Sequence, residues 1–202
     1  MRCATKAVTT AEHHYGPTHS TTLDAYSQRA NLNGFPGHGE AAAQDITHCF
    51  DIIRDNVMRN FVFMTKEERA AYWSVHRPTI AVMPAFAHRL RLWDGPFATT
   101  LYDEQLLSKG LLLSAESALQ RAIDASPSLR ATYDKIHALK IKAMDGSTPT
   151  ADAVAATLEA SRLEREMGQA ASSMDRYLDF LKVNATDVRD HLKPGEAAVE
   201  LL

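Results

Sequence analysis

The chain has 202 residues, 45% of them apolar and 23% charged, a globular balance that excludes a wholly disordered, collagenous or membrane-embedded chain. With 22 Lys and Arg against 25 Asp and Glu, the net charge is −3, so the clustered positive footprint of a duplex-binding protein is not indicated. Cys3 and Cys49 are too few for a disulfide framework, and no Cys-x-x-Cys pair offers itself to zinc.

Ala occurs 31 times and Leu 20 times, against 16 Val and Ile together. Ala and Leu lead the helix scale while β-branched residues favour strands, so an all-α fold is expected. Met1 to Thr10 is short and polar and lacks the apolar run of a signal peptide. No apolar segment has the length needed to span a bilayer. A cytoplasmic location is the expectation.

Residues 4–15 read as the end of one helix, closed by Gly16-Pro17. Thr18 to Asn33 forms the next, with Leu23, Tyr26, Ala30 and Asn33 along one stripe. Glu40 to Arg59 follows the glycine-rich turn at 34–39. Its apolar face runs Ala42, Ile46, Cys49, Phe50, Ile53 and Val57, spaced by three or four. A short turn between two such helices makes a helical hairpin. Thr65, followed three residues later by Glu68, is a capping box opening another helix. Pro78 is expected to end or kink it. Residues 79–93 read as helical with a second kink at Pro84. Pro96 suits a first helical position. A helix is expected from there to Ala125, weakened at Gly110 by about 1 kcal/mol without a break.

Residues 128–144 place Leu129, Tyr133, Ile136, Leu139 and Ala143 on one face. After a turn at Asp145 to Pro149, a long helix is expected to reach Leu181. Its seam is Ala156, Ala160, Leu163, Met167, Ala170, Met174, Tyr177 and Leu181, in alternating steps of four and three. The seam suits either an intramolecular hairpin or a dimer face. The hairpin is favoured, since local closure avoids the entropy cost of association. Asn184 or Thr186 caps a short helix to Leu192. Val199-Glu200-Leu201 then alternates like the start of a strand.

Several sharper readings lose to plainer ones. Cys49 beside His48 resembles a catalytic pair, but neighbours on a helix point in different directions. Cys49 falls on the apolar face, where it serves as a small packing residue. His13, His14 and His19 flank a turn without the spacing of a zinc site, so no metal or cofactor is expected. Arg89 and Arg91 with Trp93 read as a solvated face rather than a nucleic-acid patch.

Two stretches carry a family resemblance. Tyr15-Gly16-Pro17-Thr18-His19-Ser20-Thr21-Thr22-Leu23, then Gly37-x-x-Glu40-Ala41 with Ala42 and Cys49, looks like a tetratricopeptide repeat of the kinesin-light-chain type, without the aromatic usual near the end of its first helix. The second set runs Asn60 to Arg69, Tyr72-Trp73, Leu101-Tyr102-Asp103, Leu106 to Leu113 and Leu192 to Glu200. In this order it resembles the connecting region of bacterial proteins in which tetratricopeptide repeats precede a CHAT domain, a caspase-like protease module. The resemblance spans residues 12 to 202. It implies a repeat-and-linker module ending where the first CHAT strand would begin. No position matches the family's catalytic His or Cys motif, so it gives no reason to expect an enzyme.

The expected organisation is therefore a tetratricopeptide-like repeat region over 1–60, an irregular helical connecting region over 61–126, and a long helical hairpin with the start of a missing downstream domain over 127–202. The hairpins are expected to stack as a short solenoid followed by the long antiparallel hairpin. The expected function is a non-catalytic scaffold that binds a protein or peptide partner, with no nucleic acid and no membrane. Arg29, Asn31 and Asn33 are the candidate partner-binding residues. The alternative is a truncated part of a caspase-like cysteine protease whose activity lies in a missing C-terminal domain. Terminal repeats need a polar outer face, so self-association is expected as well.

Overall fold

The computed structural model describes residues 2–34, 38–173 and 179–199. Among them the chain is all-helical, with no strand. It divides into two compact units, each built from segments distant in sequence. One comprises residues 1–58, 73–110 and 183–202, the other 59–72 and 111–182.

The first unit opens with α1 (Arg2–Tyr15), α2 (Ser20–Asn33) and α3 (Gly39–Asn60). Gly16, at φ +92°, ends α1 and donates its N–H to the Glu12 carbonyl at 3.0 Å, a left-handed position that suits glycine. His19 caps α2, its Nδ1 accepting from the Thr21 N–H at 3.1 Å. The core between these helices follows the expected stripes: Leu23, Tyr26 and Ala30 on α2, and Ala42, Ile46, Cys49, Phe50, Ile53 and Val57 on α3. Cys49 is fully buried, with its Sγ 3.7 Å from the Leu23 carbonyl. Burial, then the nearby carboxylates of Asp45 and Asp24, push its thiol up to about 12, so it stays protonated and packs as a small apolar group.

The rest of the first unit is less regular. The helix that opens after Thr65 is α4 (Lys66–Ile80), which enters this unit at Trp73. It runs through Pro78 and stops two residues later, so the proline sits in its last turn. Pro84 does not kink a helix but begins one: it occupies the first positions of α5 (Met83–Leu90), where its missing N–H costs nothing. Arg91, at φ 57°, closes that helix in the left-handed region. α6 (Gly95–Ser108) ends at Lys109. The helix expected to continue to Ala125 is broken there, because Gly110 adopts φ +92° and the chain turns. Asn184 caps α10 (Ala185–His191) with a complete capping box, and the Ala185 N–H donates to Asp103 Oδ1 at 2.6 Å, docking α10 on α6.

The second unit begins with a 3-10 turn (Phe61–Phe63) and the Thr65–Glu68 capping box. Glu68 Oε2 accepts the Thr65 N–H at 2.8 Å and Thr65 Oγ1 accepts the Glu68 N–H at 3.2 Å, as the sequence spacing predicts. α7 (Leu111–Ala125), α8 (Pro127–Met144) and α9 (Thr150–Ser172) follow. Ser126 caps α8, with Pro127 at its first position. α8 and α9 form an intramolecular hairpin, and their core joins Leu129, Ile136, Ala160, Leu163 and Met167 with Ala118, Ala122 and Ile123 of α7. The seam follows the expected positions through Met167 and then shifts. Ala171 is buried where Ala170 is exposed, because a straight helix repeats every 3.6 residues and drifts off a strict heptad. α9 ends at Ser172 rather than Leu181. A second 3-10 turn spans Asp179–Leu181, and Met174 and Tyr177 of the expected seam lie outside the described residues. So does most of the strand-like Val199-Glu200-Leu201; Val199 is in no helix or strand.

Candidate functional site

Asp45 lies within the apolar face of α3, between Ala42 and Ile46 on one side and Cys49 on the other, and is 3% exposed. A carboxylate so placed needs partners, since an unpaired buried charge is costly. Arg29 of α2 supplies them. Its Nε donates to Asp45 Oδ1 and Oδ2 at 3.2 and 3.0 Å, and its Nη2 donates to Oδ1 at 2.7 Å. Asn33, one turn further along α2, donates from Nδ2 to Oδ2 at 3.3 Å. The planar fork of Arg matches a carboxylate in two places at once. The hydrogen bonds to Asp45 raise the guanidinium's pKa above its ordinary value despite the cost of burial.

The network extends to α1. The Arg29 guanidinium lies 5.2 Å from the centre of the Tyr26 ring, and the Tyr26 hydroxyl donates to Glu12 Oε1 at 2.8 Å. Burial first, then the hydrogen bond to Glu12, push the Tyr26 phenol up to about 12. The His48 ring sits 4.9 Å from the Tyr26 ring. Three helices are thus tied by one polar chain running Glu12, Tyr26, Arg29, Asp45, Asn33.

Arg29, Asn33 and Asp45 floor an open pocket of about 390 Å³, bounded by Thr5, His38, Ala41 and Gln44. The size falls within the range of ordinary ligand pockets. Its walls offer a hydroxyl, an imidazole and a primary amide above a fixed guanidinium–carboxylate pair. Such groups hydrogen-bond a peptide backbone or a polar side chain. Cys49 does not line it.

Of the three candidate residues, the structure brings Arg29 and Asn33 together on Asp45. Asn31 is exposed on α2 and does not line the pocket. His38, Gln44 and Asp45 escape the sequence reading. A signal for Asp45 is present all the same: an acidic residue interrupts an otherwise apolar stripe, and a basic residue stands on the preceding helix. The histidines flanking the first turn do not converge: among the described residues no three His, Cys, Asp or Glu side chains gather as metal ligands would. Among the described residues no helix is long and apolar enough to cross a membrane.

No family model, no curated protein and no solved structure matches this chain.

Proposed function

We propose that the chain is a non-catalytic helical scaffold that binds a protein partner through a short peptide segment seated in the Arg29–Asn33–Asp45 pocket. In this reading α1, α2 and α3 are the end of a tetratricopeptide-like stack. The remaining helices are the connector that the resemblance to CHAT-associated proteins implies. The observation that carries it is the pocket itself: an open cavity over a guanidinium already held by Asp45, with exposed Gln44 and His38 at its edge. A preorganised polar floor lowers the ordering cost of taking up an extended peptide.

The test must spare the floor, because removing Arg29 or Asn33 also strips partners from a buried carboxylate. Peptides selected from a random displayed library against the whole protein are titrated by fluorescence polarisation. Gln44→Arg, which crowds the pocket from an exposed position, is expected to abolish their binding with far-UV circular dichroism unchanged. Peptides that bind Gln44→Arg as tightly as the natural chain would overturn the assignment.

A further inference from the structure

A second cavity, of about 260 Å³, lies within the unit formed by residues 59–72 and 111–182. Its floor is apolar, made by Leu119, Ile123, Tyr133, Ile136 and Met167. Charged side chains stand around it, and all but one of its cations have a carboxylate. Lys66 Nζ pairs with Glu116 Oε1 at 2.7 Å. Lys140 Nζ pairs with Glu164 Oε1 at 2.7 Å and reaches Glu67 Oε1 at 3.3 Å. The exception is Arg69.

Arg69 is 6% exposed and lines this cavity, yet its guanidinium has no hydrogen-bond or ion-pair partner among the described residues. Its backbone is committed to α4, the N–H donating to the Thr65 carbonyl at 3.0 Å. Buried Arg is rare without a partner, and no guanidinium nitrogen of Arg69 is shut off from solvent, so its unpaired donors face open space rather than apolar packing. The contrast with Arg29, which is more exposed and yet fully engaged by Asp45, is direct. One side chain builds the fold, and the other leaves its donors for something that enters the cavity.

We infer that this cavity is a binding site for a monocarboxylate on a compact apolar body, with Arg69 gripping the carboxylate and the floor covering the apolar part. The charge balance sets the valence. Glu116 holds Lys66, and Glu164 and Glu67 share Lys140, so among the described residues Arg69 is the one cation at the cavity without a carboxylate; a single negative charge meets one free guanidinium, while a phosphate dianion is opposed by three nearby carboxylates. The volume sets the size: it is below the usual range for drug-sized ligands, which limits the occupant to a small acid or the last residue of a chain. The planar guanidinium sets the geometry, since a carboxylate fits its fork with two parallel hydrogen bonds.

The probes are octanoate, octanol, inorganic phosphate, and the tripeptide acetyl-Ala-Ala-Leu with a free or an amidated terminus. Each is titrated into the whole protein by calorimetry and by proton–nitrogen NMR. Octanoate or the free-acid tripeptide is expected to bind and to shift the Arg69 Nε–H resonance, while octanol, the amidated peptide and phosphate bind at least about tenfold more weakly. Binding of octanoate alone assigns the site to free acids, and binding of the tripeptide alone assigns it to a chain terminus. Arg69→Met is expected to weaken the preferred probe by roughly 10- to 100-fold and to raise the melting temperature of the unliganded protein, where a purely structural arginine would lower it. Failure of both carboxylates to bind, equal binding of octanol, or tighter binding of phosphate would overturn the inference. NMR on the natural chain decides it even if Arg69→Met does not fold.

Discussion

Gly168→Ala sets two well-calibrated effects against each other. Gly168 is buried inside α9, a helix of 23 residues, where Ala is favoured over Gly by about 1 kcal/mol. Helix propensity alone therefore predicts a more stable protein. Packing predicts the opposite. A Cβ at this position falls 2.5 Å from the Val62 carbonyl oxygen and 3.5 Å from its carbon. The obstacle is backbone, held in the 3-10 turn Phe61–Phe63, so no side-chain rotation relieves it. Either α9 or that turn must retreat, and both contribute to one core through Val62, Leu163, Met167 and Ala171. Overpacking of this kind costs about 1–3 kcal/mol, and a rigid backbone obstacle belongs in the upper part of that range. After crediting propensity, a net loss of about 1–2 kcal/mol remains. For a chain of this length that lowers the melting temperature by roughly 2–8 °C. Urea unfolding followed by circular dichroism measures it. Gly146→Ala is the control, because a Cβ there meets nothing within 4 Å and its φ is not positive. It is expected to be neutral or slightly stabilising. A Gly168→Ala protein as stable as the natural chain would refute the close approach of α9 to Val62.

The other predictions follow from single groups. Arg29→Met is expected to cost about 3 kcal/mol, because Asp45 stays buried with Asn33 as its one remaining side-chain hydrogen-bond partner among the described residues, and Arg29→Met with Asp45→Leu is expected to recover most of the loss in a urea-based double-mutant cycle. In the native protein a thiol reagent at mildly alkaline pH is expected to label Cys3 alone, with Cys49 reacting only after denaturation, as counted by mass spectrometry; this follows from the exposure of Cys3 and the burial that holds the Cys49 thiol near 12. Glu104, 2% exposed, has its pKa raised by burial against the opposing pull of its donors Ser108 and Gln105. The folded state therefore holds that proton more tightly than the unfolded chain, and stability is lost as pH rises from the ordinary glutamate value through the raised one. Glu104→Gln is expected to remove that loss, so its urea midpoint relative to the natural chain rises as the pH climbs above the ordinary glutamate value; no such rise would contradict the burial of a titrating carboxyl there.

Much of the fold is legible in the sequence, since helices announce themselves through composition, periodicity and caps. The Thr65–Glu68 box and the α3 stripe from Ala42 to Val57 follow from spacing alone, and the α8–α9 hairpin from spacing together with the entropy advantage of local closure. The errors arise where one residue permits two conformations of similar cost. Gly110 weakens a helix by little, so a continuous apolar pattern on both sides argues for continuation. Its freedom to take φ +92° is what allows the chain to turn instead, and tertiary packing decides between the two. Pro84 is the same case, because a proline that disrupts a helix interior also begins a helix well. Ala170 and Ala171 differ by one step of a seam, and the drift of a 3.6-residue period off a strict heptad accounts for the burial of the second.

The candidate sites are less legible for a deeper reason. Arg29 and Arg69 are both arginines within helical segments, and nothing local separates them. Arg29 becomes structural only when α3 brings Asp45 to 2.7 Å across a turn. Arg69 becomes a ligand-binding candidate only when Glu116 and Glu164, far along the chain, are each taken by a lysine. A charge acquires its role from how the remaining charges are shared out, and that sharing is a property of the folded unit as a whole. Surface pairs contribute little to stability one at a time, yet here they decide which cation is left over. Reversing Lys66 to Glu and Glu116 to Lys together would keep that pair and leave Arg69 unmatched, so carboxylate binding is expected to survive the swap. Lys66→Ala alone would release Glu116 toward Arg69 and is expected to weaken it.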